Sequence, residues 1–148
     1  MAPEFWFEQT VIKGNMMGEL TVGVSWLAVG VGTIAAFLIG WVWYSPMLFG
    51  KKWASGVGVD LGDASEMPVG AMISQFVGLF LMSWFVGVTA VSEALLTVIL
   101  ATVAFTVLAY SAGMFGRKNG YARGVEAGYW IVSLIVMIIS QGIFKGMS

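Results

Sequence analysis

Four stretches of this chain contain no charged residue: 20–50, 67–92, 94–116 and 127–144. The charges in the body of the chain all fall between them. A membrane-spanning helix needs about 20 mostly apolar residues, and each stretch is long enough to supply one. We therefore place four spans near 21–44, 69–91, 94–115 and 125–144. The fold class that follows is all-α: an integral membrane four-helix bundle, residues 21–148, preceded by an N-terminal interfacial segment at 1–20. Composition agrees. The chain is 59% hydrophobic and 10% charged, whereas soluble domains are about 25% charged.

The first span does not read as a cleaved leader. Its apolar run is long, its flank is acidic, and no small-residue cleavage pattern closes it. Before it, Pro3 suits a first helical turn, and Phe5, Trp6 and Phe7 suit a headgroup region. Lysine and arginine set the orientation. Lys51, Lys52, Arg117, Lys118 and Arg123 lie in the first-to-second and third-to-fourth connections, against Lys13 and Lys145 on the other side. Those two connections are expected in the cytoplasm, with both termini facing outward.

The chain has no cysteine and no histidine. Disulfide exchange, histidine-ligated haem, the usual zinc and copper sites, and Ser-His-Asp or Cys-His catalysis all lose their groups. A net charge of −1 offers no basic patch for nucleic acid. Asp60, Asp63 and Glu66 lie three apart, but not at the spacing of an EF-hand loop, and read as a solvated linker. No catalytic residue, metal or cofactor is expected, and the chain is not read as an enzyme. Its expected partners are membrane lipids and other membrane subunits or further copies of itself.

Helices in lipid associate through close backbone approach and polar contacts, so small residues mark their interfaces. The first span carries Ala28, Gly32, Ala36 and Gly40. The second carries Gly70, Ser74 and Gly78, the third Ala109 and Gly113, and the fourth Gly124 and Gly128, then Gly142 and Gly146. These seams are read as packing the four helices together; the alternative is that the first-span seam faces another subunit. Gln75, whose amide needs an outside partner, is read as interhelical glue. Gln141 is expected at the outer interface. Glu126 is expected to pair with Arg123, with Arg117 near. The second-to-third connection is a tight hairpin, in which Ser92 is read as an N-cap and Glu93 as lying in the first turn of the next helix.

The most distinctive stretch is GWVWYSPMLFGKKW, residues 40–53. The residue before a proline is pushed out of the helical region, so the first span is expected to end at Tyr44-Ser45. Ser45 would cap and Pro46 would open a short interfacial helix reaching about Ala54. Lys51 and Lys52 would meet headgroups, and Trp41, Trp43, Tyr44, Phe49 and Trp53 would lie in an aromatic belt. Gly50 would permit close contact or a kink. The first reading of Trp43, Tyr44, Ser45, Pro46, Phe49, Gly50, Lys51 and Trp53 is an elbow that turns the chain along the membrane. The second is an elbow that also binds a lipid headgroup, a pigment or a partner helix.

The pattern WYSP..FGK.W, here Trp43-Tyr44-Ser45-Pro46, Phe49-Gly50-Lys51 and Trp53, resembles the signature of a bacterial four-span membrane family, domain of unknown function 1761. Phe115, Arg117 and Gly128-Tyr129 give a second, weaker match. The resemblance spans roughly 22–144 and leaves the N-terminal segment outside. Two departures stand out: Gly116 occupies a place where the family tends to carry an acidic residue, and Trp130 one where it commonly has histidine. The resemblance implies the fold and a bacterial inner membrane, and carries no activity.

None of the spans has an ionisable residue near its middle, where each would be costly. Three functions remain. The first is a structural or accessory subunit of a larger membrane assembly. The second is a homo-oligomeric small-solute transporter or channel, although the carboxylate that small multidrug transporters keep in their first span is missing. The third is a lipid- or hydrophobe-binding protein working through the elbow.

Overall fold

A computed structural model describes residues 17–59 and 68–145. Pro3, Phe5, Trp6 and Phe7, the acidic linker with Asp60, Asp63 and Glu66, and Gly146 lie outside the described residues. The described chain forms α1 (Gly18–Thr21), α2 (Trp26–Trp43), α3 (Gly50–Val57), α4 (Val69–Val91), α5 (Leu95–Phe115) and α6 (Gly120–Phe144), with no strand among the described residues. Helices α2, α4, α5 and α6 are each long and apolar enough to cross a membrane.

The first span starts later than its uncharged run. Gly23 takes a left-handed φ of 79° and breaks the chain after α1. Ser25 then caps α2, its Oγ accepting from the Ala28 N–H at 3.2 Å. The run of apolar residues had no charge to mark this boundary; the cap marks it instead. The fourth span starts earlier than expected, because Asn119 Oδ1 accepts from the Ala122 N–H at 2.8 Å and caps α6. Arg123, expected in the connection, therefore lies within the helix.

Helix α6 packs against α2, α3, α4 and α5, with α5 leaning mainly on it, and α2 packs against both α6 and α4. The α2 seam is used inside the chain. Ala28, Gly32 and Ala36 are buried, and a Cβ on Gly32 would stand 2.8 Å from Ser83 Oγ. Three α2 carbonyls receive side-chain donors from the facing helices. Ser140 Oγ donates to Ala28 O at 2.7 Å, Ser83 Oγ to Val29 O at 2.8 Å, and the Tyr129 hydroxyl to Ala36 O at 2.8 Å. Between these contacts Leu79, Val86, Val98, Tyr129 and Met137 fill the core.

The other seams divide. Gly113 is buried beside Arg123, and Gly128 lies against the Trp43 ring. Gly70, Ser74 and Gly78 are exposed, however, and at Gly70 and Gly78 an added Cβ would meet nothing within 4 Å. The expectation that this second-span seam packs the bundle is corrected. α4 turns a different face inward, burying Leu79, Ser83, Val86 and Gly87, because Ser83 supplies a donor to α2 and Gly87 lets the backbones close. Gly124 and Gly142 also face open space.

The helix ends repeat one device. After α4, the Ala94 N–H bonds Thr89 O at 2.9 Å and the Glu93 N–H bonds Ala90 O at 3.1 Å, with Glu93 left-handed at φ 54°. After α5, Lys118 N–H bonds Gly113 O and Arg117 N–H bonds Met114 O, with Arg117 at φ 61°. Both are Schellman caps, a motif that usually places glycine at the left-handed position. Ser92 therefore ends α4 instead of capping α5, and Glu93 sits in the turn, outside the first turn of α5. A non-glycine residue there costs about 1–2 kcal/mol. We expect Arg117→Gly to raise stability by about 1 kcal/mol in denaturant titration of the detergent-solubilised chain. A loss of stability would mean that the guanidinium contributes more than the strain removes.

Candidate functional site

The elbow is built by backbone closure before any side chain is placed. After Trp43 the Tyr44 N–H still bonds Gly40 O at 3.0 Å, but the Phe49 N–H reaches back to Trp43 O at 3.2 Å. Ser45 O accepts from Leu48 N at 3.1 Å and from Gly50 N at 2.9 Å. Pro46 thus occupies the second position of a turn, which its fixed φ suits. Ser45 Oγ donates backwards to Val42 O at 2.7 Å, and the N-cap position of α3 falls at Phe49. This corrects the expected helix from Pro46: residues 44–49 are turn, and α3 begins at Gly50. A Cβ on Gly50 would collide with the Tyr44 carbonyl oxygen and lie 2.7 Å from the Ser45 carbonyl carbon. Only glycine fits this crossing.

On that frame the aromatics turn inward. The Trp43 indole N–H donates to Val125 O on α6 at 2.9 Å. Trp43 packs on Phe49, with ring centroids 4.8 Å apart. Tyr44 stands edge-on to Trp53 at 5.0 Å and to Tyr129 at 5.6 Å. Trp41 differs: it is exposed and its edge meets Phe37. So the elbow aromatics form a packed cluster between α2, α3 and α6, with Trp41 outside it.

Short helix α3 is held on the start of α6. The Asn119 N–H bonds Gly56 O at 3.1 Å, and any Cβ on Gly56 would strike the Asn119 side chain. Sequence reasoning missed Gly56; the asparagine ahead of a small-residue helical run was the available signal. Glu126 pairs with Lys118 at 2.6 Å instead of Arg123, and the Trp53 indole N–H points to its Oε1 at 3.5 Å. Arg123 is drawn elsewhere. It crosses the bare surface of Gly113 and places its guanidinium 4.8 Å from the Tyr110 ring centre. Lys51 and Lys52 are exposed, and Lys52 sits over the Tyr121 ring. Gln75 lies near the Tyr129 hydroxyl, which itself donates to Ala36 O.

Burial pushes the Tyr44 phenol well above its ordinary range, helped by the nearby Glu126 carboxylate and then by Tyr129. Tyr44 is thus a neutral hydroxyl, not a base. Beside the cluster opens a cleft of about 270 Å³, lined by Trp43, Phe49, Tyr121, Val125, Gly120 and Gly124. Its walls are aromatic and apolar, suited to a hydrocarbon or flat ring and to no proton transfer. No group of three potential metal ligands occurs among the described residues.

Against known proteins, the chain matches one family model, described as protein of unknown function (DUF1761), over residues 27–141. No curated protein and no solved structure matches. Within the matched region the two distant motif stretches meet, since Gly128 receives Trp43 and Tyr129 meets Tyr44. Phe115 and Arg117 stay outside that cluster. Trp130 packs against Phe105 and Tyr129, with ring centroids 5.7 and 5.6 Å away.

Two outcomes test this description. Gly50→Ala is expected to lower stability by about 2–4 kcal/mol, measured by denaturant titration in detergent; a change within about 0.5 kcal/mol would mean the elbow relaxes freely. Tyr44 is expected to make stability fall at alkaline pH. Below about 10 both folded and unfolded chains keep the phenol proton; above it the unfolded chain loses the proton first. The decline should therefore begin near pH 10 and flatten in Tyr44→Phe.

Proposed function

We propose, for a chain that belongs to the DUF1761 family of proteins of unknown function, the role of a non-enzymatic structural or accessory subunit in a larger membrane assembly. One observation carries the reading: the exposed small-residue face of α4. Gly70, Ser74 and Gly78 lie on successive turns with open space above them, and Ile73, Val77 and Leu81 beside them are exposed. Small residues flanked by branched ones are what a second membrane helix needs for close approach. The equivalent face of α2 is already occupied by α6 and α4. The partner we assign is a membrane-spanning helix of another chain.

A second reading has its own support. The 270 Å³ aromatic cleft at the elbow suits a hydrophobe or an acyl chain, as a lipid-binding function would require. A transport path through a single bundle has no such support, because large side chains fill its centre; a conduit would have to run between copies. For location, the basic elbow end is assigned to the cytoplasmic side of a bacterial inner membrane. The Asn119–Gly56 bond is in keeping with both basic connections sharing one end.

Native mass spectrometry after mild extraction from the source membrane tests the subunit role. The chain is expected to emerge with other chains, and Gly78→Leu to release it while its own helical content and stability hold. A chain that emerges alone, or a variant complex as robust as the parent, would overturn the reading. A homo-oligomer would move transport between copies to the front.

A further inference from the structure

Gly120, Gly124 and Gly128 mark successive turns of α6, and the chain uses them unequally. Gly128 is filled from within, since a Cβ there would stand 3.1 Å from the Trp43 ring. Gly124 has nothing within 4 Å, and at Gly120 only Arg123 Nη2 comes near, at 3.6 Å. These two bare positions line the elbow cleft of about 270 Å³, with Trp43, Phe49, Tyr121 and Val125 completing it. Trp43 is a fixed wall, because its indole N–H is held by Val125 O at 2.9 Å. Glycine within a helix weakens it, and the folded chain seats nothing of its own on Gly124.

The size of the cleft narrows the occupant. A helix is roughly 10 Å across and rises about 5.4 Å per turn, so even one turn is too large for this space. A hydrocarbon chain is thin enough. The cleft also lies where α2 ends and α6 begins, the depth at which acyl chains give way to headgroups.

Charge then separates the lipid classes. Lys52 Nζ stands 5.5 Å from the centre of the Tyr121 ring, which places a cation just outside the apolar lining. In a glycerophospholipid the phosphate likewise sits a glycerol's length outside the acyl chains. A chain in the cleft therefore brings its phosphate to the rim. The ammonium of a zwitterionic headgroup finds no counterpart there. Lys51, Lys52 and Arg117 pair with no carboxylate among the described residues, and Glu126 is already held by Lys118 at 2.6 Å.

We propose that the elbow cleft binds one anionic glycerophospholipid, with an acyl chain on Trp43, Phe49 and the bare backbone of Gly120 and Gly124, and with its phosphate at Lys52. This rests on the lipid-binding reading of the cleft and adds the class of lipid; it is independent of the α4 face and the subunit role.

The test uses the full chain in nanodiscs holding equal amounts of dioleoyl phosphatidylglycerol and dioleoyl phosphatidylethanolamine. Native mass spectrometry after release into mild detergent counts the lipids kept on each chain. One phosphatidylglycerol is expected, kept over phosphatidylethanolamine by roughly fivefold or more, the scale of one basic residue near an anionic lipid. Gly124→Leu should cut lipid retention about fivefold or more with helical content and thermal unfolding unchanged, because its side chain enters space the protein leaves open. Lys52→Gln should remove the preference while a lipid is still kept. Lys51→Gln, whose ammonium is not held over a ring of the cleft, should change the preference less than about twofold. Equal retention of the two lipids by the parent, or equal effects of the two lysine substitutions, overturns the anionic assignment and leaves the lipid-binding reading standing. A parent that keeps no lipid overturns both. A Gly124→Leu chain that keeps its phosphatidylglycerol overturns the site. Should Gly124→Leu fail to fold, the two exposed lysines decide it, unchanged selectivity in Lys52→Gln overturning the proposal.

Discussion

The structure depends on the close approach of α4 and α6 to α2. Within lipid no apolar burial draws helices together, so contact must come from packing and from polar groups that find each other. A helix normally keeps its carbonyls to itself. Here Ala28, Val29 and Ala36 each give a second lone pair to a donor from a neighbour: Ser140, Ser83 and Tyr129. Those donors are short or pinned, so they reach a carbonyl only where the α2 surface is bare. Ala28, Gly32 and Ala36 supply that bareness. Seam and hydrogen bonds are therefore one feature, and enlarging the seam would cost both.

The elbow inherits its position from the same contact. Tyr129 ends one of the three bonds and also forms the floor of the aromatic cluster, touching Trp43, Tyr44 and Trp130. Gly40 completes the link, because a Cβ there would lie 2.7 Å from the Tyr129 hydroxyl. Once Tyr129 is seated, Trp43 reaches Val125 O and the turn at 44–49 has one way to close. The second stretch of the family resemblance, Gly128-Tyr129, is thus tied to the first by packing. This gives the pattern a physical basis in folding without any reference to catalysis.

What was legible in the sequence was whatever charge and residue size encode directly. The four spans were visible because charges stop at membrane boundaries, and the α2 seam because four small residues at one spacing can only form one face. The rest depended on relations between segments. Which face of α4 turns inward is decided by Ser83 meeting Val29 O, not by the glycines, so the more obvious stripe was the wrong one. Glu93 and Arg117 are left-handed because a hairpin must close there, and neither residue type advertises that conformation. Ser45 Oγ could accept from a following N–H as well as donate to Val42 O; the turn that brings Gly50 under its carbonyl leaves no helix at Pro46 to cap. Gln141 is terminal by position, near the end of α6, and is also buried against Gly87 of α4.

The division of surfaces follows from these choices. α2 and α6 hold most of the buried side chains, Ala28, Val29, Ala122 and Ser133 among them, although Gly124 and Gly142 on α6 face open space. α4 and α5 give few residues to the core and leave long rows exposed. For α5 that surface is mostly apolar, from Leu96 through Val107 to Phe115, with Thr97 and Tyr110 among it, and lipid satisfies the apolar part without further structure. For α4 it is not, since glycine backbone exposed to hydrocarbon forgoes the dispersion contact that a larger side chain would make. Stability of the single chain gives no reason for glycine at positions 70 and 78. A partner that needs the backbone close would, and that asymmetry between two equally exposed helices is the physical ground of the proposed subunit role.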